Sequence, residues 1–280
     1  FQTKPITPFH QGNTMNASRR NMLSMTAAGL IQIAAKPAVT IGEEPVRTEL
    51  LVRQAAERGH TDLGWLKSFH SFSFGGYYDQ RHMGFRSLRV INDDKIAAGR
   101  GFPTHPHRNM EIISYVLNGS LQHKDSTGKG AIITPDDIQM MSAGTGITHS
   151  EYNPSSSEAN HFLQIWIEPA MQGVRPRYSD NKVTDDQKTN QWNLIAGPDD
   201  SAAAVGIYQD AKIFASKLQA RQSLDYTLEQ NRHAWLQVAT GELTVNGTTL
   251  KAGDAVASSR ATSLHVTANE ASDVLLFDLS

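Results

Sequence analysis

From Glu49 onward the sequence consists of short apolar or alternating runs, each ended by Gly, Asn, Asp or Pro. Runs of this length and patterning are typical of β-strands, and helical periodicity is scarce. Residues 112–117, Ile-Ile-Ser-Tyr-Val-Leu, lead into Asn118–Gly119, a dipeptide that favours the positive φ values of a type I′ hairpin turn. The sequence therefore predicts an all-β sandwich or barrel.

The later part of the chain repeats this scheme. A second series of strand, turn, strand and turn is formed by residues 234–238, Thr240–Gly241, residues 242–245 and Asn246–Gly247. Two similar β units favour a duplicated small barrel, with a polar stretch as the connection. We accordingly expect an N-terminal extension over 1–47, an N-terminal domain over 48–179, a polar connection over 180–191 and a C-terminal domain over 192–280.

The N-terminal extension contains a candidate targeting motif. Arg19 and Arg20 are followed by a mildly apolar stretch over residues 25–35, and the combination resembles a twin-arginine export signal. An ordinary basic N-terminus explains these residues equally well, because Gln32 interrupts the apolar run. No other segment approaches the ~18 consecutive apolar residues that a transmembrane helix needs.

Composition narrows the range of functions. The 280 residues include 26 Lys and Arg against 28 Asp and Glu, so no basic excess drives binding to nucleic acid. The chain has no cysteine, which excludes disulfides, thiolate metal sites and cysteine nucleophiles. Any bound metal must therefore be held by histidine and carboxylate side chains. The sequence also lacks a Gly-rich phosphate-binding loop and a Gly-x-Ser-x-Gly nucleophile elbow.

Four side chains in the N-terminal unit have the spacing of metal ligands. His105 and His107 are two residues apart, as are His149 and Glu151, so the members of each pair share one face of a strand. Two neighbouring strands of this kind would bring three imidazoles and one carboxylate to one point, a donor set that suits Fe(II), Mn, Ni, Cu or Zn. A lone His-x-His pair is usually a surface feature, but two pairs of equal period favour a metal site.

Spacing leaves one ambiguity and several weaker candidates. Glu111 lies four residues beyond the His-x-His pair, so it keeps the same strand parity and competes with Glu151 for the role of carboxylate ligand. Phe102, Met110 and Met140 are apolar residues near the motifs that would line a flat aromatic pocket, although core packing explains each of them as well. The other histidines have no paired spacing and are expected to be structural.

These motifs carry a resemblance to a known family. Their spacing is similar to that of the two cupin motifs, carried by Gly99, His105, His107, Glu111 and Gly119 and by Gly144, His149 and Asn153. The local sequence around His105-Pro106-His107-Arg108, residues 142–153 and residues 164–167 more closely resembles the pirin family, in particular its bacterial quercetin 2,3-dioxygenase-like members. The similarity extends over about residues 48 to 280.

The resemblance implies a bicupin with two face-to-face cupin (jelly-roll) β-barrels and a metal site only in the N-terminal barrel. It also implies the ligands of one divalent metal ion per chain, namely His105, His107, His149 and Glu151. Glu111 and Asn153 then become neighbours of the site or pocket residues. Fe(II) is the expected ion, with Mn, Ni, Cu, Co and Zn as alternatives, because imidazole and carboxylate ligands accept all of them.

The activity implied by the resemblance is a metal-dependent 2,3-dioxygenation of a flavonol such as quercetin, which opens the heterocycle and releases carbon monoxide. The metal would lower the pKa of the substrate 3-hydroxyl, and Glu151 is the expected base for its proton. The substrates would be a flavonol and O2, without nucleic acid or membrane as partner. We expect a monomer in the cytoplasm, with twin-arginine export to the bacterial periplasm as the alternative.

The sequence is also compatible with three other functions. A non-catalytic metal-bound member of the family would act on a protein partner as a redox sensor. A different cupin enzyme would act on a small phenol, an enol or a sugar. A storage or structural β protein would use its metal only to stabilise the barrel. An exposed patch around the metal without a pocket would favour the protein-binding role.

Overall fold

The computed structural model describes residues 50–280. Within this range the regular secondary structure is almost entirely β-strand, as the short alternating runs predict, with one α-helix at Asp185–Lys188 (α1) and one 3-10 turn at Ala55–Glu57. None of its helices is long and apolar enough to cross a membrane. The extension over 1–47, with its twin-arginine-like motif, lies outside the described residues.

The N-terminal domain is built from a larger and a smaller antiparallel sheet. Its strands, in chain order, are β2 (Gly59–Asp62), β3 (Leu66–His70), β4 (Leu88–Ile96), β5 (Gly101–His107), β6 (Glu111–Asn118), β7 (Leu121–Asp125), β8 (Gly130–Ile133), β9 (Asp137–Ser142), β10 (Ile147–Tyr152), β11 (Asn160–Ile167) and β12 (Arg177–Lys182). The seven-stranded sheet has the order β12-β9-β6-β11-β4-β3-β2, and the four-stranded sheet has the order β5-β10-β7-β8.

The C-terminal domain repeats this architecture. Its strands are β1 (Leu51–Arg53), β13 (Asn193–Pro198), β14 (Val205–Ile207), β15 (Ala211–Leu218), β16 (Ser223–Thr227), β17 (His233–Thr240), β18 (Glu242–Val245), β19 (Thr248–Lys251), β20 (Ala255–Ser258), β21 (Ser263–Ala268) and β22 (Ser272–Leu279). The sheet orders are β1-β20-β17-β22-β15-β13-β14 and β16-β21-β18-β19. The smaller sheets correspond strand by strand, so the predicted duplication is confirmed.

The ends of the two units cross the expected boundaries. β1 lies inside the range expected for the N-terminal domain, yet it pairs with β20 at the edge of the C-terminal sheet. β12 takes the equivalent edge position beside β9. The polar stretch over 180–191 therefore contains the end of a strand and the helix α1. The domain boundaries themselves stay a prediction.

The two Asn-Gly turns have different roles. Asn246 and Gly247 have φ values of 44° and 83°, and they close the hairpin between β18 and β19. The hairpin predicted at Asn118–Gly119 is wrong, because only Gly119 has a positive φ, 74°, and because β6 and β7 belong to different sheets. The chain crosses there from the larger to the smaller sheet of the N-terminal domain.

The two seven-stranded sheets pack face to face. Ile113 and Ile165 of the N-terminal sheet belong to the same buried cluster as Ile213 and Phe277 of the C-terminal sheet. The interiors of the two domains differ: aliphatic side chains fill the C-terminal one, whereas the N-terminal one has two smaller apolar clusters. The N-terminal domain also has buried polar side chains, and those that line its cavity belong to the candidate site.

Candidate metal centre and its cavity

Two adjacent strands of the smaller N-terminal sheet bring the predicted histidines together. β5 and β10 pair antiparallel with His149 opposite His105, and the register shifts between His149 and Glu151. The ring centroids of His105, His107 and His149 lie 4.5 to 4.8 Å apart. The Nε2 atoms of His105 and His149 are 3.0 Å apart. The three imidazoles predicted from spacing thus form one cluster.

The electrostatics of the cluster favour neutral imidazoles at His107 and His149. Burial, together with the charges of the neighbouring histidines, lowers the pKa of His149 to about 3 and that of His107 to about 4. Neutral rings are the form that binds metal ions. Nε2 of His107 is buried without a hydrogen-bond partner among the described residues. An unsatisfied buried nitrogen beside two other imidazoles fits a metal ion, and the donor set suits a borderline divalent metal.

A backbone contact orients His105. Its Nδ1 lies 2.8 Å from the carbonyl oxygen of Pro103, to which the Nδ1–H donates. The proton on Nδ1 leaves the lone pair on Nε2, which faces the other histidines. This contact therefore sets the tautomer that a metal ligand needs.

Glu151 is held by polar side chains of the larger sheet. The carboxylate is 1% exposed, and Nε2 of Gln164 donates to both of its oxygens at 2.9 Å. Ser114 donates a longer bond, 3.5 Å, to Oε1. Glu151 lines the same cavity as His105 and His107. The potential metal-ligand atoms within 4.8 Å of its carboxylate belong to His149 and His123.

Sequence reasoning missed His123, which it took to be structural. The imidazole is fully buried on β7, and its Nδ1 lies 3.4 Å from Nδ1 of His149. Nε2 donates to Asp125 at 3.0 Å, and the ring stacks on Tyr178 at 4.9 Å. His123 and Asp125 have the same two-residue spacing as the two ligand pairs. A search for mixed His-x-Asp pairs, in addition to His-x-His, would have found this residue.

Glu111 lies outside the cluster. Its carboxylate faces the C-terminal domain, where Oε2 accepts hydrogen bonds from the Ser142 hydroxyl at 2.6 Å and from the Tyr208 backbone N–H at 3.2 Å. Strand parity does not extend from His107 to Glu111, because the chain turns between β5 and β6 at Asn109, which has a φ of 48°. Burial raises the pKa of the Glu111 carboxyl.

Of the other pocket candidates, only Phe102 lines the cavity at the histidines. Met140 is buried in the core between the two large sheets. Met110 packs beside Trp166 and lines a neighbouring depression. Asn153 is buried and donates through Nδ2 to two backbone carbonyls, so it fastens the chain after β10.

The histidine cluster opens into a cavity of about 390 Å³. Its apolar walls are the side chains of Leu66, Phe74, Phe102 and Trp166, and the Phe74 and Trp166 rings meet edge to face at 5.3 Å. A concave site with aromatic walls and a few polar groups is the usual form of a small-molecule site.

The C-terminal domain has apolar residues at the corresponding positions. β16 and β21 correspond to β5 and β10, and their inward residues Leu224, Leu264 and Val266 belong to its aliphatic core. Among the described residues, the groups of histidines and carboxylates close enough to hold a metal ion all lie in the N-terminal domain. The metal-binding group is therefore confined to one of two similar folds.

Comparisons with known proteins agree with a bicupin metal protein. The Pirin family model matches residues 51–167, and the model of the quercetinase C-terminal cupin domain matches residues 194–279. The quercetin 2,3-dioxygenase of Escherichia coli K12 is 43% identical over 230 residues, which cover 82% of this chain and 98% of that protein. A pirin-like protein of Caulobacter vibrioides is 39% identical, covering 79% of this chain and 95% of its own.

A solved structure agrees as well. The bacterial pirin YhhW from Escherichia coli, in complex with nickel(II), is 42% identical, with a TM-score of 0.78 over 82% of this chain and 99% of its own. The chain therefore belongs to the pirin family, among its bacterial quercetin 2,3-dioxygenase-like members. The family and the bicupin fold predicted from the sequence are confirmed.

Proposed function

We propose that this protein is a metal-dependent dioxygenase that opens the heterocycle of flavonols such as quercetin. The observation that carries the proposal is that His105 and His107 form part of the wall of a cavity of about 390 Å³ with aromatic sides. A cavity of this kind accommodates a flat ring system, whereas a protein partner would need an exposed patch. The names of the relatives support the same substrate class.

In this proposal one divalent ion is held by His105, His107, His149 and Glu151. When bound, the ion orients the substrate and lowers the pKa of its 3-hydroxyl group. The low pKa values of His107 and His149 keep both imidazoles available as ligands near neutral pH. Fe(II) is the proposed ion, and Mn, Ni, Cu, Co and Zn compete for the same donors.

Glu151 is the proposed base for the proton of the 3-hydroxyl group. Its Oε1 already accepts from Gln164 and Ser114, whereas Oε2 accepts only from Gln164. Oε2 therefore has the greater remaining capacity to accept a proton. Removal of that proton makes the flavonol electron-rich and open to attack by O2. Both oxygen atoms enter the ring-opened product, and one ring carbon leaves as carbon monoxide.

The test measures O2 uptake and the loss of flavonol absorbance with quercetin, on protein whose metal content has been quantified. The assay is run before and after chelation and after separate addition of Fe(II), Mn(II), Ni(II) and Cu(II). We expect turnover that is lost on chelation and restored by one or more of these ions. No turnover with any ion at full occupancy would overturn the proposal and favour a metal-bound protein that acts on a protein partner.

The variant His149→Ala tests the assignment of the metal ligands. We expect it to lose both metal and turnover while it keeps the fold, because the ring contacts other side chains of the site rather than the core between the sheets. Full metal content in this variant would contradict the ligand assignment. A small phenol, an enol and a sugar tested in the same assay separate flavonol activity from that of another cupin enzyme.

The compartment and the oligomeric state are part of the proposal. By family resemblance we propose the cytoplasm, and export through the motif at Arg19 and Arg20 is the alternative. We also propose a monomer, because the two barrels can cover each other's open faces. Fractionation of cells that express the full chain, with Arg19→Lys and Arg20→Lys changed together, distinguishes the two. A periplasmic protein that becomes cytoplasmic in the variant would overturn the cytoplasmic assignment.

A further inference from the structure

A second set of polar groups lines the cavity, on the strands of the larger sheet. His70 of β3 is bonded to Asn92 of β4, with 2.8 Å between Nδ1 and Oδ1, and to Thr61 of β2, with 2.9 Å between Nε2 and Oγ1. Ser68 lies 3.3 Å from Nδ1 of His70. All four residues face the cavity, and their hydrogen bonds to one another hold them in place. Asp94 is the fifth polar group on these strands.

Asp94 differs from its neighbours because one of its oxygens has no partner. The residue is 2% exposed and lines the cavity, and Oδ1 is buried without a hydrogen bond to any described residue. Burial raises the pKa of Asp94 to about 7, and the charges of Glu151 and Asp93 act in the same direction. An unpaired buried carboxylate oxygen destabilises a fold, so its presence beside a cavity calls for a ligand.

The position of Asp94 separates it from the metal-binding group. Asn92 pairs across the sheet with Gln164, the residue that holds Glu151. Asp94 is two residues further along β4, about 7 Å at the usual rise of a strand. A ligand group that meets Asp94 is therefore a different group from the one at the histidines. The aromatic rings of Phe74 and Phe102 line the same cavity, so the space between the two polar ends suits a flat aromatic molecule.

We propose that Oδ1 of Asp94 accepts a hydrogen bond from a phenolic hydroxyl group of an aromatic substrate, and that this contact selects polyhydroxylated flavonols over flavonols without further hydroxyl groups. The inference rests on the proposed function, because it concerns the substrate of the same cavity. A ligand with a phenol here satisfies the buried oxygen. A ligand without one leaves the oxygen unpaired, which is how enzymes reject analogues that lack a hydroxyl group.

The test compares two ligands on the metal-loaded protein under anaerobic conditions, so that binding is measured without turnover. Quercetin has hydroxyl groups on both outer rings, whereas 3-hydroxyflavone keeps only the 3-hydroxyl. We expect quercetin to bind about 10- to 100-fold more tightly than 3-hydroxyflavone to the unchanged protein. Asp94→Leu removes the acceptor at similar volume. In this variant we expect the dissociation constant of 3-hydroxyflavone divided by that of quercetin to fall to about one tenth or less of its value in the unchanged protein.

Further variants separate the loss of the hydrogen-bond acceptor from other effects of the substitution. Asp94→Asn keeps a carbonyl oxygen at this position, so it is expected to retain most of the preference for quercetin. Asp180→Asn, on an exposed part of β12, controls for the loss of one carboxylate and leaves the ratio unchanged. Thermal unfolding checks that each variant is folded. If Asp94→Leu does not fold, Asp94→Ala removes the acceptor without filling its space and takes the place of Asp94→Leu in the comparison.

Several results would overturn the inference. One is a ratio of the two dissociation constants near one in the unchanged protein. Another is an equal loss of affinity for both ligands in Asp94→Leu. The third is that neither ligand binds. Turnover distinguishes this failure from that of the proposed function. Quercetin turnover with no role for Asp94 leaves the dioxygenase proposal standing. Asp94-dependent binding without turnover at full metal occupancy leaves the subsite standing and removes the dioxygenase.

Discussion

The Nδ1 atoms of His123 and His149 lie 3.4 Å apart inside the N-terminal domain. Because Nε2 of His123 donates to Asp125, its Nδ1 carries the lone pair. That lone pair accepts the Nδ1–H of His149, which leaves Nε2 of His149 free on the side of His105. Asp125, His123 and His149 thus form a hydrogen-bonded chain that sets the tautomer and the orientation of a proposed metal ligand.

His123→Phe tests this chain. Phenylalanine keeps the ring that stacks on Tyr178 but loses the acceptor for His149. We expect metal affinity to fall about 10- to 100-fold, because residues that orient a ligand typically contribute that much. Competition with a chromogenic chelator measures the change, and His123→Gln, which keeps polar atoms in the site, is expected to recover part of it.

The control for His123→Phe is His265→Phe. His265 is also bonded to an aspartate, with its Nδ1 2.7 Å from Oδ1 of Asp225, but it lies on the surface of the C-terminal domain. We expect this variant to bind metal as the unchanged protein does. Unchanged affinity in His123→Phe would refute the positioning role. A complete loss, as in His149→Ala, would instead make His123 a ligand, in the group it forms with His149 and Glu151.

Glu111 and Glu151 are both buried and equally compatible with the spacing, and the structure predicts opposite outcomes for them. Glu151→Gln should reduce metal affinity by more than about 10-fold, because it removes the proposed anionic ligand. Glu111→Gln should leave metal content unchanged, because Glu111 bonds to Ser142 and Tyr208 on the other side of the sheet. Metal analysis of both purified variants decides. Loss of metal in Glu111→Gln with retention in Glu151→Gln would reverse the assignment.

The histidine cluster could be predicted from the sequence because the spacing of residues within a single strand determines which of them share a face. Two residues on one strand share a face whatever the rest of the fold does, so His105 with His107, and His149 with Glu151, needed only the strand itself. Glu111 does not share the face of His105 and His107, because the strand does not continue across the turn at Asn109. The duplication could also be predicted from local patterns, because each unit has its own series of strands and turns.

Other features depend on strands that are distant in sequence. Asp94 reaches the site because β4 pairs with both β3 and β11, and no local pattern shows that pairing. Met140 was a pocket candidate because it lies near the second motif. It faces the C-terminal domain instead, since its side of the sheet is covered by the second large sheet.

Gly144 lies in the turn that connects β9 with β10, the strand of His149. It has a φ of 45°, and a Cβ atom there would lie 2.1 Å from the carbonyl oxygen of Val174. We expect Gly144→Ala to lower the free energy of unfolding by about 3 kcal/mol or more, since it adds a backbone clash to the conformational strain. Gly146→Ala, two residues on, meets no atom within 4 Å and should lose only about 1 to 2 kcal/mol. Urea unfolding measures both, and equal losses would contradict the role of the Val174 contact.

A buried hydrogen bond between the two domains involves an ionisable carboxyl group, and it predicts that stability depends on pH. Tyr115 of β6 donates from its hydroxyl group to Oδ1 of Asp273 on β22 at 2.9 Å. Burial raises the pKa of Asp273 to about 6 from 3.8, although the bond from Tyr115 and the charges of two lysines oppose the shift. The stabilisation from the protonated carboxyl is therefore fully present below its ordinary pKa and is lost as the pH rises through about 6.

Asp273→Asn should reveal this loss, because the amide is neutral at every pH and still accepts the bond from Tyr115. We expect the variant to match the unchanged protein at about pH 4 and to be more stable by about 2 to 3 kcal/mol at about pH 7, since each pKa unit corresponds to about 1.4 kcal/mol. Urea unfolding of both proteins across this range measures the difference, with Asp180→Asn as the control for an exposed carboxyl. A difference that does not change with pH would mean that Asp273 ionises as easily in the folded protein as in the unfolded chain.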